Sequence, residues 1–306
     1  ADYKASGRLT LGVALSRKAE QTDITGWAEP QGMALTYKHF PYRVEDVRGR
    51  IEFHDNKAFL KEITARHAQT RVRLRGEMEW VAGKQTYDIH IDGRDVGLDE
   101  ELARAVPRSF EFVWNTIHPG GRTHAKVRVR RGVKDTQDII DLELAPDGHA
   151  SMRHAVFPYP VENIAGLVRI ADNVATIEGV SGRRGPMRFT INGIIRDVHR
   201  KDCDVEVDID IRDMPLDDTL QAALGGAVLK TYKSLHPTGS AQSATVKLRQ
   251  SGGKPMTYDI AASLAGVSLC YDAFPYPITD MSGQLEVQTD VFRLRHLSGR
   301  NANSEI

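Results

Sequence analysis

The sequence predicts a mainly β protein with short helices: an elongated antiparallel β-sheet array built from repeats of about 117 residues. Three observations carry this. Phe-Pro-Tyr occurs at Phe40–Tyr42, Phe157–Tyr159 and Phe274–Tyr276, two intervals of 117 residues, and a fixed period marks one unit copied along the chain. The residues after each triplet keep register. Val44, Val47, Gly49, Ile51 and Phe53 match Val161, Ile164, Gly166, Val168 and Ile170, and again Ile278, Met281, Gly283, Leu285 and Val287. Finally, apolar residues alternate with polar ones through most of each copy, and this period of two gives way to helical spacing once per copy. Cut at the triplets, the chain divides into 1–39 (the C-terminal part of a preceding repeat), two complete repeats at 40–156 and 157–273, and the start of a third at 274–306.

The elements follow in order. After the Phe-Pro-Tyr corner, Val47, Gly49, Ile51 and Phe53 oppose Arg48, Arg50, Glu52 and His54, as a half-buried strand requires. Asp55-Asn56, Asp172-Asn173 and Thr289-Asp290 supply turn chemistry. A second strand is expected around Phe59–Ile63, Val174–Val180 and Val291–Leu297. A third carries Val72, Leu74, Gly76 and Met78, or Phe189, Ile191, Gly193 and Ile195. A fourth carries Tyr87, Ile89 and Ile91, or Val205, Val207, Ile209 and Ile211. Helical stretches then open at Leu98 and Leu216 and end at Ile117-His118-Pro119 and Leu235-His236-Pro237. Leu216, Leu220, Ala223, Leu224 and Val228 form an apolar stripe at helical spacing. Asp213 is the expected N-cap, Pro215 suits the first turn, and Asp217 and Asp218 complement the dipole. Pro107 and Gly225-Gly226 split each stretch into two short helices. Strands resume at Lys126–Arg130, Asp138–Leu144 and Ser151–Val156, matched by Thr245–Arg249, Tyr258–Leu264 and Ser268–Ala273. Each repeat thus holds about seven strands and one broken helix.

Composition narrows the function. With 41% apolar and 27% charged residues the 306-residue chain lies far from the disordered regime. Forty-one basic and forty-one acidic residues cancel, so no global field recruits nucleic acid. Cys203 and Cys270 occupy non-equivalent repeat positions, so disulfides are not the organising principle. No run approaches the roughly 18–20 apolar residues that span a bilayer. The chain opens within a strand-like stretch, Gly7–Val13, and stops in mid-strand register at Ile306, so it is expected to be a segment of a longer protein.

Candidate chemistry weighs toward structure. Asp202, Asp204, Glu206, Asp208 and Asp210 lie in a row on one strand face, whereas calcium needs oxygens converging from a loop. His118 and His236 recur before a proline, which suits a ring nitrogen bonding the last carbonyls of a helix. His118, His124, His149 and His154 lack metal-ligand spacing. Cys203 and Cys270 sit in no strand–turn–helix elbow, and Gly182-Arg183-Arg184-Gly185 reads as a turn between strands rather than a phosphate loop. No catalytic residues, metal or cofactor are expected. The apolar face is the feature left standing. It packs as a closed core, or it lines an open trough, and both give the same alternation.

The phrase Phe157-Pro-Tyr-Pro-Val-Glu-Asn-Ile-Ala-Gly-Leu-Val-Arg-Ile170, its turn at Asp172-Asn173, and Val174–Gly182 followed by Arg188–Gly193 resemble the AsmA-like group of bacterial envelope proteins, YhdP- and TamB-type relatives included. That group belongs with bridge-like lipid transfer proteins. The resemblance implies a sheet curled into an open groove, apolar inside and polar outside. It also implies a periplasmic location between two membranes and an inner-membrane anchor outside this segment. The implied partners are phospholipid acyl chains and membrane proteins at the ends of the full-length protein, with no nucleic acid. The groove positions so implied are Val47, Ile51, Phe53, Val72, Leu74, Ile164, Val168, Ile170, Phe189, Ile191, Met281, Leu285 and Val287. The alternative function is a structural or adhesive envelope repeat with a closed core and no ligand.

Overall fold

The computed structural model describes residues 3–18, 21–198, 200, 202–288, 291–301 and 304–305. Strands take 70% of the described residues and helices 11%, so the protein is mainly β. It folds as two compact units. One comprises Ala1–Glu111, Gly120–Pro146 and Arg169–Asp172, and the other Phe112–Pro119, Asp147–Val168 and Asn173–Ile306.

The first unit holds β1 (Tyr3–Ser6), β2 (Leu9–Lys18), β3 (Gln21–Tyr37), β4 (Phe40–His54), β5 (Lys57–His67), β6 (Thr70–Val81) and β7 (Lys84–Gly97). After these come helices α1 (Glu100–Ala105) and α2 (Arg108–Ile117), whose C-terminal half belongs to the second unit, then β8 (Pro119–Arg131) and β9 (Ile139–Ala145). From β2 to β9 each strand pairs antiparallel with the next, and β1 pairs with β3. The second unit holds β10 (Asp147–Met152), most of β11 (Val161–Ala171), β12 (Val174–Arg184), β13 (Met187–Arg196) and β14 (Asp204–Pro215). Helices α3 (Asp218–Ala223) and α4 (Gly226–Leu235) follow, then β15 (Ser240–Gln250), β16 (Thr257–Tyr271), β17 (Phe274–Gln288), β18 (Val291–Asn301) and β19 (Ser304–Glu305). Here β10 pairs with β11, and β12 to β19 form an antiparallel meander.

The glycine that holds its place after every triplet has a steric reason. Gly49, Gly166 and Gly283 adopt φ of 125°, 131° and 158°. Across from them the neighbouring strand bulges through a left-handed residue, Glu62 (φ 46°), Gly179 (φ 56°) and His296 (φ 53°). The bulge pushes a carbonyl toward the glycine: a Cβ at Gly49 would lie 2.7 Å from the Glu62 oxygen, and one at Gly166 2.8 Å from the Gly179 oxygen. The ladders shift register at the same places, between Leu60 and Ile63 and between Ile177 and Val180. Asp46, Asn163 and Asp280 mark a further left-handed position at the same phase. Asx residues tolerate that conformation because their short side chains bond locally.

The tyrosine of the triplet also acquires a role. Asp99 caps α1 by accepting from the backbone N–H of Glu101 and Leu102, both at 3.0 Å, and Asp217 caps α3 through Leu220 N–H at 2.9 Å. Tyr42 and Tyr159 pack beside these caps and are 6% and 4% exposed. Tyr276, after which no such helix follows among the described residues, is 39% exposed. Burial pushes the Tyr42 and Tyr159 phenols above the ordinary value of 10.0, and the cap carboxylates Asp99 and Asp217 push further in the same direction. The His67 ring lies 3.9 Å from that of Tyr42 and closes the other side.

Several expectations need correction. Asp213 is not the helix cap: it sits inside β14 with φ 52°, and Pro215 ends that strand. The side chain one turn later, Asp217, reaches the free N–H groups instead. His118 and His236 stop their helices through backbone, adopting left-handed φ of 39° and 45°. The His236 ring bonds Asp272 Oδ1 at 2.8 Å, not a helix carbonyl. The expected strand Ser151–Val156 ends at Met152, while Tyr258–Leu264 and the stretch from Ser268 are one bulged strand, β16. The interval 40–156 therefore carries seven strands and 157–273 six. The two-helix break at Pro107 and at Gly225-Gly226 stands. Thr289-Asp290 lies outside the described residues.

Two measurements check this account. Gly166→Ala should cost about 2 kcal/mol or more in urea unfolding, since it combines a left-handed φ with a backbone clash. The buried phenols keep protons that the unfolded chain releases from about pH 10, so stability should fall as pH rises beyond that point. Tyr42→Phe with Tyr159→Phe should flatten this alkaline decline.

Candidate functional site: an apolar sheet face

Residues directly opposite one another on paired strands share a face, so the registers define rows that cross each sheet. In the first unit one row reads Leu11, Ala28, Ile51, Leu60, Gly76, Ile89, Val129 and Ile140. Beside it run Val13, Gly26, Phe53, Ala58, Met78 and Tyr87 on one flank, and Ile63, Leu74, Ile91, Val127 and Leu142 on the other. Phe53 lies over Gly26, where a Cβ would come within 2.4 Å of its ring. Val47, Ile63 and Ala65 form a buried cluster against which Ile51, Val72 and Leu74 pack. All five positions anticipated in this unit therefore fall on one continuous apolar face.

The second unit repeats the arrangement. One row runs Val180, Ile191, Ile209, Val246, Ile260 and Val287. The next runs Gly182, Phe189, Ile211, Ala244, Ala262, Leu285 and Leu294. Met281 faces Val267, which is 2% exposed. Phe189, Ile191, Met281, Leu285 and Val287 are thus brought together. Ile164, Val168 and Ile170 alternate along β11, with Ile164 opposite Ala150; Ile164 and Ile170 are buried and Val168 is half-buried.

Much of this face stays accessible. Helix α1 rests on β4 and α4 on β16. Farther along, Ile51, Phe53, Leu60, Ile89 and Ile191 are only half-buried, and Leu11 and Leu15 are 59% and 71% exposed. The chain exposes 19007 Å² at 34.0 kDa.

The opposite face is charged and internally paired. Arg50 meets Glu29 at 2.8 Å, Arg130 meets Asp141 at 2.9 Å and Lys126 meets Glu143 at 2.8 Å. The Arg128 guanidinium holds the Asp88 carboxyl below its ordinary range, and Lys126, with Arg169, does the same for Glu143. The acidic strand of the second unit is balanced likewise: Glu206 pairs with Arg196 at 2.6 Å and Asp208 with Arg249 at 2.7 Å. Among the described residues no group of three or more His, Cys, Asp or Glu side chains is placed to hold a metal ion. Cys203 and Cys270 are free thiols, and burial pushes that of Cys203 up, away from nucleophilic use. His154 lies near His118, and its own burial, with that neighbour, lowers its basicity.

Several members of the face were not anticipated, among them Ile89, Ile91, Val127, Leu142, Ile209, Val246 and Ile260. Alternation in their strands was visible, but only the pairing register tells which side of the sheet an alternating strand presents. No protein-family model matches this chain, and no curated protein or solved structure is similar to it.

The paired charges set a pH response. Carboxylates held below their ordinary range contribute stability above about pH 4, where the unfolded chain titrates. That contribution is lost as pH falls through their lower folded-state values. Asp88→Asn should lower stability at pH 7 by less than about 1 kcal/mol and reduce the acid slope of urea midpoint against pH.

Proposed function

We propose that this chain is a segment of a lipid-conducting envelope protein, a β-repeat array whose apolar face forms an open groove for phospholipid acyl chains. The observation that carries this reading is the set of unbroken apolar rows on a face left half-exposed while the opposite face is charged. Such a surface is costly in water unless something apolar covers it. Acyl chains cover it without demanding any matched polar group, and burial at roughly 25 cal/mol per Å² is indifferent to position along a row. The ligand is therefore held and still free to slide.

The repeat reading is supported by more than the triplets. Helices α2 and α4 have the same length and both end at a left-handed histidine followed by proline. Strands β5 and β12 likewise have the same length and the same bulge. In this proposal the full-length protein stands in the periplasm of a bacterium with two membranes, contacts membrane proteins at its ends, binds no nucleic acid and catalyses nothing. The AsmA-like resemblance supplies the location and the end partners, and the apolar face supplies the ligand class.

The test is native mass spectrometry with lipid extraction on the chain purified gently from a bacterial host. Phospholipid should accompany it at near-stoichiometric amounts. Leu11→Asp with Leu15→Asp, both at exposed face positions, and Ile51→Asn with Ile191→Asn should each cut occupancy at least about tenfold (~1.4 kcal/mol), with far-UV circular dichroism unchanged. A dry wild-type chain would sink the groove and leave a spacer whose apolar face serves only packing.

A further inference from the structure

The polar face carries a feature that neither lipid conduction nor folding requires. Across β5, β6 and β7, Arg66 lies directly opposite Arg71, and Arg71 directly opposite Arg94. Across β12, β13 and β14, Arg183 lies opposite Arg188, and Arg188 opposite Arg212. Like charges in directly opposed positions, on strands about 4.8 Å apart, repel one another. In a chain whose 41 basic and 41 acidic residues cancel, the same costly triad occurs once in each unit.

The triads are incompletely neutralised. In the first, Arg71 pairs with Asp95 at 2.7 Å, but Arg94 stands 4.0 Å from Asp92, beyond hydrogen-bond reach, and Arg66 has no ion pair among the described residues. Glu45, opposite Arg66 on β4, is engaged by Arg43 at 3.1 Å. Arg73 extends the basic surface, and with the triad, Arg48 and the carboxylates Asp46 and Asp92 it lines a cleft of about 440 Å³, in which Arg48 is paired with Asp46 at 2.7 Å. In the second triad none of the three has a carboxylate partner among the described residues. Arg183 Nε lies 2.8 Å from the Asn163 side-chain amide, whose oxygen accepts from it once the amide is turned.

Both triads sit at the sheet margin. Arg66 and Arg71 are one pair inside the β5–β6 hairpin end, His67 with Thr70, and Arg183 with Arg188 are one pair inside Arg184 with Met187. Guanidinium forks from three adjacent strands match the oxygens of a tetrahedral oxyanion, which accepts several charge-assisted bonds at once.

We infer that each arginine triad is a binding site for a phosphate monoester or inorganic phosphate. The inference stands apart from the acyl-chain reading, because it rests on the opposite face.

Two probes test it on the intact chain at low ionic strength. One is inorganic phosphate followed by isothermal titration calorimetry. The other is flotation with phosphatidylcholine vesicles containing phosphatidic acid, compared with phosphatidylcholine alone. The variants are Arg66→Gln with Arg71→Gln and Arg94→Gln, and Arg183→Gln with Arg188→Gln and Arg212→Gln. The control is Arg104→Gln in α1, whose Arg104 pairs with Glu100 at 2.9 Å. Each triple variant should remove binding at its own triad and so halve the phosphate stoichiometry, and the two combined should weaken anion binding at least about tenfold, with the control unchanged and the melting temperature equal to or above wild type as repulsion is relieved. Arg71→Lys should recover charge but not the affinity of the fork. Binding of free phosphate alone marks a soluble source, and binding of phosphatidic acid vesicles marks a headgroup; either supports the site. No binding of either probe by wild type, equal loss in Arg104→Gln, or a lowered melting temperature in both triple variants would overturn it.

Discussion

A slip of one residue in any ladder of this protein would turn its apolar rows to water and its charges inward. Everything else depends on that register. It is pinned at recurring places, among them a pair of features on adjacent strands, a left-handed bulge on one and a glycine on the other. Gly49 beside Glu62 and Gly166 beside Gly179 leave space for one strand to carry an extra residue without losing its partner. A bulge placed there also increases local twist, so the feature that fixes register curves the sheet as well. Side chains alone would specify the pairing weakly, because rows of Val, Ile and Leu fit one another in several alignments.

The helices solve a second problem that the same face creates. An apolar sheet left wholly bare would aggregate through its exposed surface. The short helices touch the sheet at a few places only, α1 on β4 and α4 on β16. The triplet phenol, the aspartate that caps the helix and, in the first unit, a histidine ring lie close together beside the helix start. Tyrosine suits this position because its ring joins the apolar packing while its hydroxyl lies beside the cap. The first two triplet tyrosines therefore lie where sheet and helix meet.

Much of this was legible in residues. Period-two alternation located β4, β5, β6, β7 and their later counterparts, because a half-wet strand must alternate. Proline and paired glycine located the helix break because neither continues a helix. The cap was misread because Asp213, two residues before Pro215, satisfies the same composition rule as Asp217, and only the direction of the chain distinguishes them. The bulges left no compositional trace of their own: Glu62, Gly179 and His296 share a backbone conformation and nothing else. The site was legible as a set of faces, but assembling Ile51 with Leu60, Gly76 and Ile89 required register, which is a property of pairs of strands rather than of either one.

The two faces divide the protein's physical chemistry between them. Apolar contact is non-directional, and its strength depends on area removed from water. A row of aliphatic side chains therefore offers a ligand many nearly equal positions and no preferred stopping point. Guanidinium contact is directional and local, and it fixes a ligand group at one place. A surface meant only for solubility has no use for arginines set against arginines. Such triads occur once in each unit, which follows directly if each unit keeps the same contact with something outside the chain.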